Sequence, residues 1–163
     1  LEWLRQLMEG LNDSDRSLAQ HSLFVGVVRD EFKQELQPGD FLIRNFLGVD
    51  PQLGAISIGD RVRPGQRLQF HLRDAQTSAD DLDTLLKQSN PPTPIQGALM
   101  FSCLGRGQTL YQIPNFDSQL LANYFPGVPI GGFFCNGEIG PVGKETFLHG
   151  YTSVIALLRQ LRI

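Results

Sequence analysis

Residues 131–141 read GGFFCNGEIGP and combine an apolar run, a polar turn and a glycine–proline break. The apolar run ends at Cys135 and predicts a short buried strand. The asparagine and glycine that follow predict a tight turn, and the glycine–proline pair predicts a stop. Glu138 would stand at the tip of that turn, between glycines that let another group approach the bare backbone. Backbone donors and one carboxylate at an open tip are what a small-ligand site needs.

Apolar periodicity on either side of this stretch predicts a fold of the mixed α/β class. Short apolar or alternating runs predict strands over residues 23–28, 41–47, 54–60, 67–73, 97–103, 146–148 and 152–161. Helical spacing predicts helices over residues 1–11, 15–19 and 114–124, and a further helix that starts near residue 78. The three strands between residues 41 and 73 predict an antiparallel meander, with His71 solvated on a polar face. We therefore expect a mixed, largely antiparallel sheet with flanking helices in a single domain.

Composition excludes several classes of function. The chain has 163 residues and a net charge of −3, with charges mixed along the sequence and no basic stripe for nucleic acid. No apolar run approaches the ~20 residues of a membrane span. Two cysteines and three scattered histidines make a poor disulfide or zinc framework, and no nucleotide-binding motif is present. We expect a cytoplasmic protein without a metal or cofactor.

A second glycine-rich segment follows a predicted buried strand. That strand ends at Ser102 and Cys103 and opens into Gly105, Arg106 and Gly107. In open α/β sheets, strand ends of this kind bind ligands. The Arg106 guanidinium could bind a carboxylate or phosphate, or it could be a surface arginine in a turn.

Several single residues have two interpretations. Cys103 would need a neighbouring base to act as a nucleophile, and the sequence around it supplies none, so a packed apolar role is favoured. Glu138 could accept from a ligand amine, act as a general base, or cap backbone donors in its turn. Asn136 and His149 could contact a ligand or satisfy local backbone groups. Asn45 interrupts an apolar strand and must find a polar partner.

Four segments in chain order resemble the C-terminal half of the FIST domain, the F-box and intracellular signal transduction sensory domain. They are residues 40–48, 101–107, 136–141 and 149–153, and the resemblance covers residues 40–158. It implies sensing of small, amino-acid-like ligands in signalling proteins, with no established chemistry. On this basis residues 1–39 are predicted to be helices, a strand and a linker at the end of an upstream half-domain. Residues 40–163 are predicted to be the FIST C-terminal-like domain.

The favoured hypothesis is a small-ligand-binding sensory domain without catalytic residues. The predicted ligand-binding residues are Asn45, Ser102, Cys103, Gly105, Arg106, Gly107, Asn136, Gly137, Glu138, Gly140 and His149. The opposite charges of Arg106 and Glu138 suit a small zwitterion such as an amino acid. Expected partners are that ligand, the N-terminal half of the same domain and a signalling output domain or protein. The alternatives are an enzyme acting on a small amide or acid through Cys103 or Glu138, and a protein-interaction module.

Overall fold

The computed structural model describes residues 1–89, 91 and 93–160. This part of the chain forms nine strands and five helices and divides into two compact units, Leu1–Asp74 and Ala75–Ile163. We call them the N-terminal and C-terminal units. The mixed α/β class and the largely antiparallel pairing are confirmed, since only one pair among the described strands is parallel. Residue 161, the predicted end of the last strand, lies outside the described residues.

The N-terminal unit packs two helices with a four-stranded antiparallel sheet. Its elements are α1 Glu2–Gly10, α2 Asp13–Ser22, β1 Leu23–Val28, β2 Phe41–Asp50, β3 Ala55–Ile58 and β4 Leu68–Leu72. The Asn12 side chain caps α2 by accepting from the Asp15 amide at 2.9 Å. The strand order is β3-β2-β1-β4, so the predicted meander is wrong: β4 pairs with β1 rather than β3. The apolar β1 is central because burial on both faces stabilises such a run most.

The environment of His71 differs from the predicted solvated face. The ring lies over Gly26, where an added Cβ would come 2.4 Å from Nε2, and 4.7 Å from the Phe41 ring. Burial lowers the pKa of His71, and Nε2 has no hydrogen-bond partner among the described residues. Strict alternation predicted the strand correctly, but it did not show that the polar face is partly covered.

The C-terminal unit is built around a three-stranded sheet and a separate hairpin. Its elements are α3 Ala75–Gln88, β5 Ile95–Cys103, α4 Gln108–Tyr111, α5 Phe116–Tyr124, β6 Ile130–Cys135, β7 Glu138–Val142, β8 Glu145–His149 and β9 Ser153–Arg159. The sheet order is β6-β5-β9, with β5 parallel to β6 and antiparallel to β9. Strands β7 and β8 form the hairpin. The short α4 and the strand β7 were not predicted, because four residues carry too little periodicity and proline disfavours a strand.

One face of this sheet holds the core of the unit. The buried cluster contains Leu82 and Leu86 of α3, Ala98 and Met100 of β5, and Leu121 of α5. Leu121 has no exposed surface, and truncating such a leucine to alanine typically costs about 2–5 kcal/mol. The two helices are therefore fixed against β5, which positions the start of α5 beside the end of the sheet.

The stretch around residues 131–141 folds differently from its prediction. Strand β6 is an edge strand, and Phe133 and Phe134 are 65% and 55% exposed rather than buried. Glu138 is not at an open tip but begins β7, where it is only 2% exposed. The glycine–proline pair continues β7 instead of ending the strand. The β7–β8 hairpin extends the chain past the turn, with Glu138 paired in register with His149.

Candidate functional site

A cleft of about 250 Å³ lies in the C-terminal unit between β5, β6 and the start of α5. Its lining residues are Met100, Ser102, Gly107, Asn115, Phe116, Asp117, Ser118, Ile130, Gly131, Gly132, Phe133 and Phe134. Of the predicted ligand-binding residues, Ser102 and Gly107 line this cleft. The apolar walls surround a few polar groups, which is the usual composition of a small-ligand site.

Asp117 is the charged residue that lines the cleft, and Arg106, which does not line it, forms hydrogen bonds with the Asp117 carboxylate. The guanidinium donates two hydrogen bonds to the carboxylate, from Nε at 2.8 Å to Oδ2 and from Nη2 at 3.0 Å to Oδ1. The two side chains are only 7% and 6% exposed. Burial alone would lower the pKa of Arg106, but the hydrogen bond and charge of Asp117 outweigh it and raise that pKa. The Arg106 guanidinium therefore stays charged in the folded protein.

Further hydrogen bonds fix the arginine and extend the network along the sheet. Arg106 also donates to the Tyr111 hydroxyl and, at 3.4 Å, to the Tyr151 carbonyl. Ser153 of β9 donates to Asp117 Oδ2 at 3.1 Å, and its hydroxyl lies 2.8 Å from that of Ser102. Because Asp117, Tyr111 and Tyr151 accept hydrogen bonds from Arg106, the arginine positions Asp117 rather than reaching into solvent.

The first turn of α5 forms one side of the cleft. Asn115 precedes the helix in the left-handed conformation, at φ 61° and ψ 18°, and its side chain makes no capping bond. The first helical hydrogen bond runs from the Gln119 amide to the Asn115 carbonyl, so the preceding amides have no partner within the helix. These amides and the helix dipole make a helix start favourable for an anionic group. The start of α5 thus places these amides beside the Asp117 carboxylate, which belongs to the same helical turn.

Two glycines of the cleft permit contacts that no other residue would allow. Gly107 has φ 65°, and an added Cβ would lie 2.9 Å from the Phe134 ring. Gly132 has φ 148°, and an added Cβ would lie 1.8 Å from the Met100 carbonyl oxygen. Bare backbone at these positions brings β6 and the loop after β5 close together.

Glu138 lies outside the cleft lining, in a buried environment beside the Cys135 thiol. Its Oε1 accepts from the Cys135 Sγ at 3.4 Å, and its Oε2 has no hydrogen-bond partner among the described residues. Cys135 is the register partner of Cys103 across β5 and β6, and both cysteines are free. Burial and the adjacent Glu138 raise the pKa of Cys135. A thiol with a raised pKa is a poor nucleophile at neutral pH.

The other predicted site residues of this unit have structural contacts. His149 is the register partner of Glu138, and its Nε2 lies 3.1 Å from the Gly140 carbonyl oxygen. Gly140 packs against Val154, while Gly105 packs against the Tyr151 ring. Asn136 is exposed in the turn before β7, and Gly137 has φ 152°. None of these residues lines the cleft.

Asn45 belongs to the N-terminal unit, on β2. It pairs in register with Phe24, and its carbonyl accepts from the Gly59 amide at 2.9 Å. The neighbouring Arg44 donates to Asp60 at 2.6 Å. A larger depression of about 560 Å³ also lies on this unit, lined by Ser14, Ser17, Leu18, His21 and Asp74. Most of that lining is exposed, and it contains no predicted site residue, so the cleft at α5 is the better candidate.

Sequence reasoning missed the acidic residue of the site. Asp117 stands in the first turn of a predicted helix, where acidic residues are common for reasons of helix stability alone. Its pairing with Arg106 and Ser153 joins three elements, and no local pattern indicates such a contact.

No helix of the described chain is long and apolar enough to cross a membrane. The described residues also contain no group of three or more His, Cys, Asp or Glu side chains placed to hold a metal ion.

Fold and cleft together define a mixed α/β domain with a small polar site. The family model of the FIST C domain matches residues 1–141, and the chain belongs to this family. The match includes residues 1–39, where the resemblance had no aligned segment. The predicted boundary between residues 39 and 40 falls in the loop between the paired strands β1 and β2, and it stays a prediction.

Similar proteins come from bacteria and eukaryotes. An uncharacterized protein of Mycobacterium bovis is 38% identical over 96% of this chain and 41% of its own length. An uncharacterized protein of Mycobacterium tuberculosis is 38% identical over 96% of this chain and 42% of its own length. Human F-box only protein 22 is 34% identical over 71% of this chain and 33% of its own length. The chain thus spans about two fifths of the length of the mycobacterial relatives.

Proposed function

We propose that this chain is a small-ligand-binding sensory domain and that the cleft at the start of α5 binds an amino-acid-like zwitterion. The observation that carries the proposal is the juxtaposition of the buried Asp117 carboxylate with the first turn of α5. The ligand ammonium would bind Asp117 and the Ser102 hydroxyl. The ligand carboxylate would bind the amides of the helix start, which have no partner within the helix.

The proposal changes the role first expected for Arg106. Because its donors are occupied by Asp117, Tyr111 and Tyr151, Arg106 positions the acidic group instead of binding the ligand carboxylate. The cleft volume of about 250 Å³ lies just below the 300–1,000 Å³ typical of sites for drug-sized ligands, which favours a small metabolite. The domain would act in the cytoplasm, with its signal passed to other parts of a longer protein or to a partner.

A thermal-shift measurement tests the ligand class. Free amino acids, their N-acetyl derivatives and their amides are added to the chain at equal concentrations. A ligand at 100 times its Kd stabilises the folded state by about 2.7 kcal/mol, a rise in Tm of roughly 5–10 °C. We expect this rise with at least one free amino acid, and no rise with its N-acetyl derivative or amide, each of which lacks one charge.

A matched pair of serine variants tests whether the ligand binds in the cleft. Ser118→Ala and Ser89→Ala each remove a hydroxyl that donates 3.0 Å to a backbone carbonyl of its own helix segment, but only Ser118 lines the cleft. In titration calorimetry, Ser118→Ala should raise the Kd of the ligand several-fold, while Ser89→Ala should leave the Kd unchanged. The absence of any shift with free amino acids at 10 mM, or equal effects of the two variants, would refute the proposed site.

A further inference from the structure

Strand β6 has one unpaired edge in the described structure. It pairs with β5 through an unbroken register from Ala98–Ile130 to Cys103–Cys135, and no strand lies on its other side. The outward backbone groups of an edge strand are a template for pairing with another chain. This edge also borders the cleft, because β6 supplies the lining residues from 130 to 134.

The β6 edge lacks the features that normally prevent association. Edge strands are usually protected by charged side chains, internal prolines, bulges or short length. Residues 128–137 contain no charged side chain, β6 contains no proline, and its register has no bulge. Phe133 and Phe134 are also exposed on opposite faces. By contrast, the edge strand β4 alternates with Gln69 and His71 and is flanked by Arg67 and Arg73.

The sequence of β6 is complementary to itself in one antiparallel register. When two copies pair about a two-fold axis at Gly132, Gly131 of one copy lies opposite Phe133 of the partner subunit. Ile130 then lies opposite Phe134 of the partner subunit. An aromatic ring across from a strand glycine is a stabilising cross-strand pair. An uncharged centre also avoids the repulsion that like charges suffer at a two-fold axis.

We infer that two copies of this chain associate through β6 and form a continuous six-stranded sheet across the two-fold axis. The backbone edge gives the affinity, and the alternation of small and aromatic residues gives the register. The partner strand also forms a new wall beside the cleft. This last consequence rests on the proposed ligand site, whereas the dimer itself does not.

Sedimentation equilibrium of the ligand-free chain tests the dimer separately from ligand binding. We expect a concentration-dependent mass that approaches twice the 18.2 kDa of one chain. Phe133→Lys places a charge on the edge and should weaken dimerisation at least tenfold. Leu148→Lys is the matched control, since Leu148 is equally exposed at 65% but lies on β8, and it should leave the dimer intact. A monomeric wild type at 100 µM, or equal effects of the two variants, would overturn the inference.

Disulfide trapping tests the register. In a background with Cys103→Ser and Cys135→Ser, copies carrying Gly131→Cys are mixed with copies carrying Phe133→Cys and oxidised. Direct cross-strand neighbours lie within the distance range of a disulfide, so the mixed dimer should cross-link in high yield. The mixture of Gly131→Cys with Phe134→Cys is the control, because these positions face opposite sides of the sheet. Equal yields in the two mixtures would refute pairing centred on Gly132.

Discussion

The N-terminal and C-terminal units each contain an arginine–aspartate pair that joins two separate segments of the chain, and these two pairs differ in burial. Arg44 and Asp60 in the N-terminal unit are joined by a hydrogen bond of 2.6 Å, with side chains 16% and 34% exposed. Arg106 and Asp117 in the C-terminal unit are 7% and 6% exposed and are joined by two hydrogen bonds. Water can replace a lost partner in the first pair but not in the second. The buried pair therefore fixes the Asp117 carboxylate in one position, while the more exposed pair adds little to stability.

Asp117→Asn should produce the largest loss of stability. It leaves the Arg106 charge buried without its counter-ion, which typically costs about 3–5 kcal/mol. Asp60→Asn makes the same chemical change in the exposed pair and should cost about 1 kcal/mol or less. Urea unfolding of the two variants measures the difference directly. The double variant Arg106→Met/Asp117→Leu removes both charges and should recover part of the loss; similar costs for the two single variants would contradict the comparison.

Gly132→Ala should have the next largest effect. The new Cβ would overlap the Met100 carbonyl oxygen at φ 148°, so the parallel β5–β6 pair must shift. We expect a loss of roughly 2–4 kcal/mol from backbone strain and overpacking. Gly54→Ala in the N-terminal unit is the control, because Gly54 has φ 65° but nothing within 4 Å of an added Cβ. It should cost only the conformational penalty of roughly 1–2 kcal/mol, measured by the same urea unfolding.

The smallest effect is expected from pH, and it concerns the N-terminal unit. Burial depresses the pKa of His71 below its ordinary value of 6.5, so the unfolded chain binds a proton more readily than the folded one. The stability linked to His71 is therefore present above pH 6.5 and is lost as the pH falls towards the folded pKa. His71→Gln should flatten the decline of stability between pH 7 and 5. Urea unfolding at pH 7, 6 and 5 measures the slope for the wild type and for His71→Gln, and an unchanged slope in the variant would contradict the prediction.

The elements of the fold were largely predictable, because apolar periodicity reports which residues a local segment buries. The strands around Val25 and Met100 and the helix containing Leu121 follow from it directly. The pairing of β4 with β1 was not predictable, since strand order depends on which surfaces meet after the segments form. The burial of Glu138 was not predicted either. Glu138 begins β7, and the glycine and proline in this strand disfavour a strand prediction.

The candidate site shows where local reasoning ends. Ser102 and Gly107 line the cleft, and the signal that singled them out, a strand opening into a glycine-rich loop, lies within one segment. The contact between Arg106 and Asp117 could not be predicted, because Asp117 lies beyond α4 in another helix. Contacts between charged residues of separate segments are known only from the folded chain, and here Arg106 donates to Asp117 instead of pointing into the cleft.

The position of β5 in its sheet affects when the sheets of the two units can form during synthesis. All four strands of the N-terminal sheet lie before residue 73, so that sheet can close early during synthesis. Strand β5 instead finds both neighbours, β6 and β9, later in the chain. At roughly 5–20 residues per second, it waits several seconds with its apolar side chains unpaired while the segment up to Arg159 is translated. During this interval the apolar strand β5 lacks its β9 neighbour, and slower translation beyond residue 103 would lengthen that exposure.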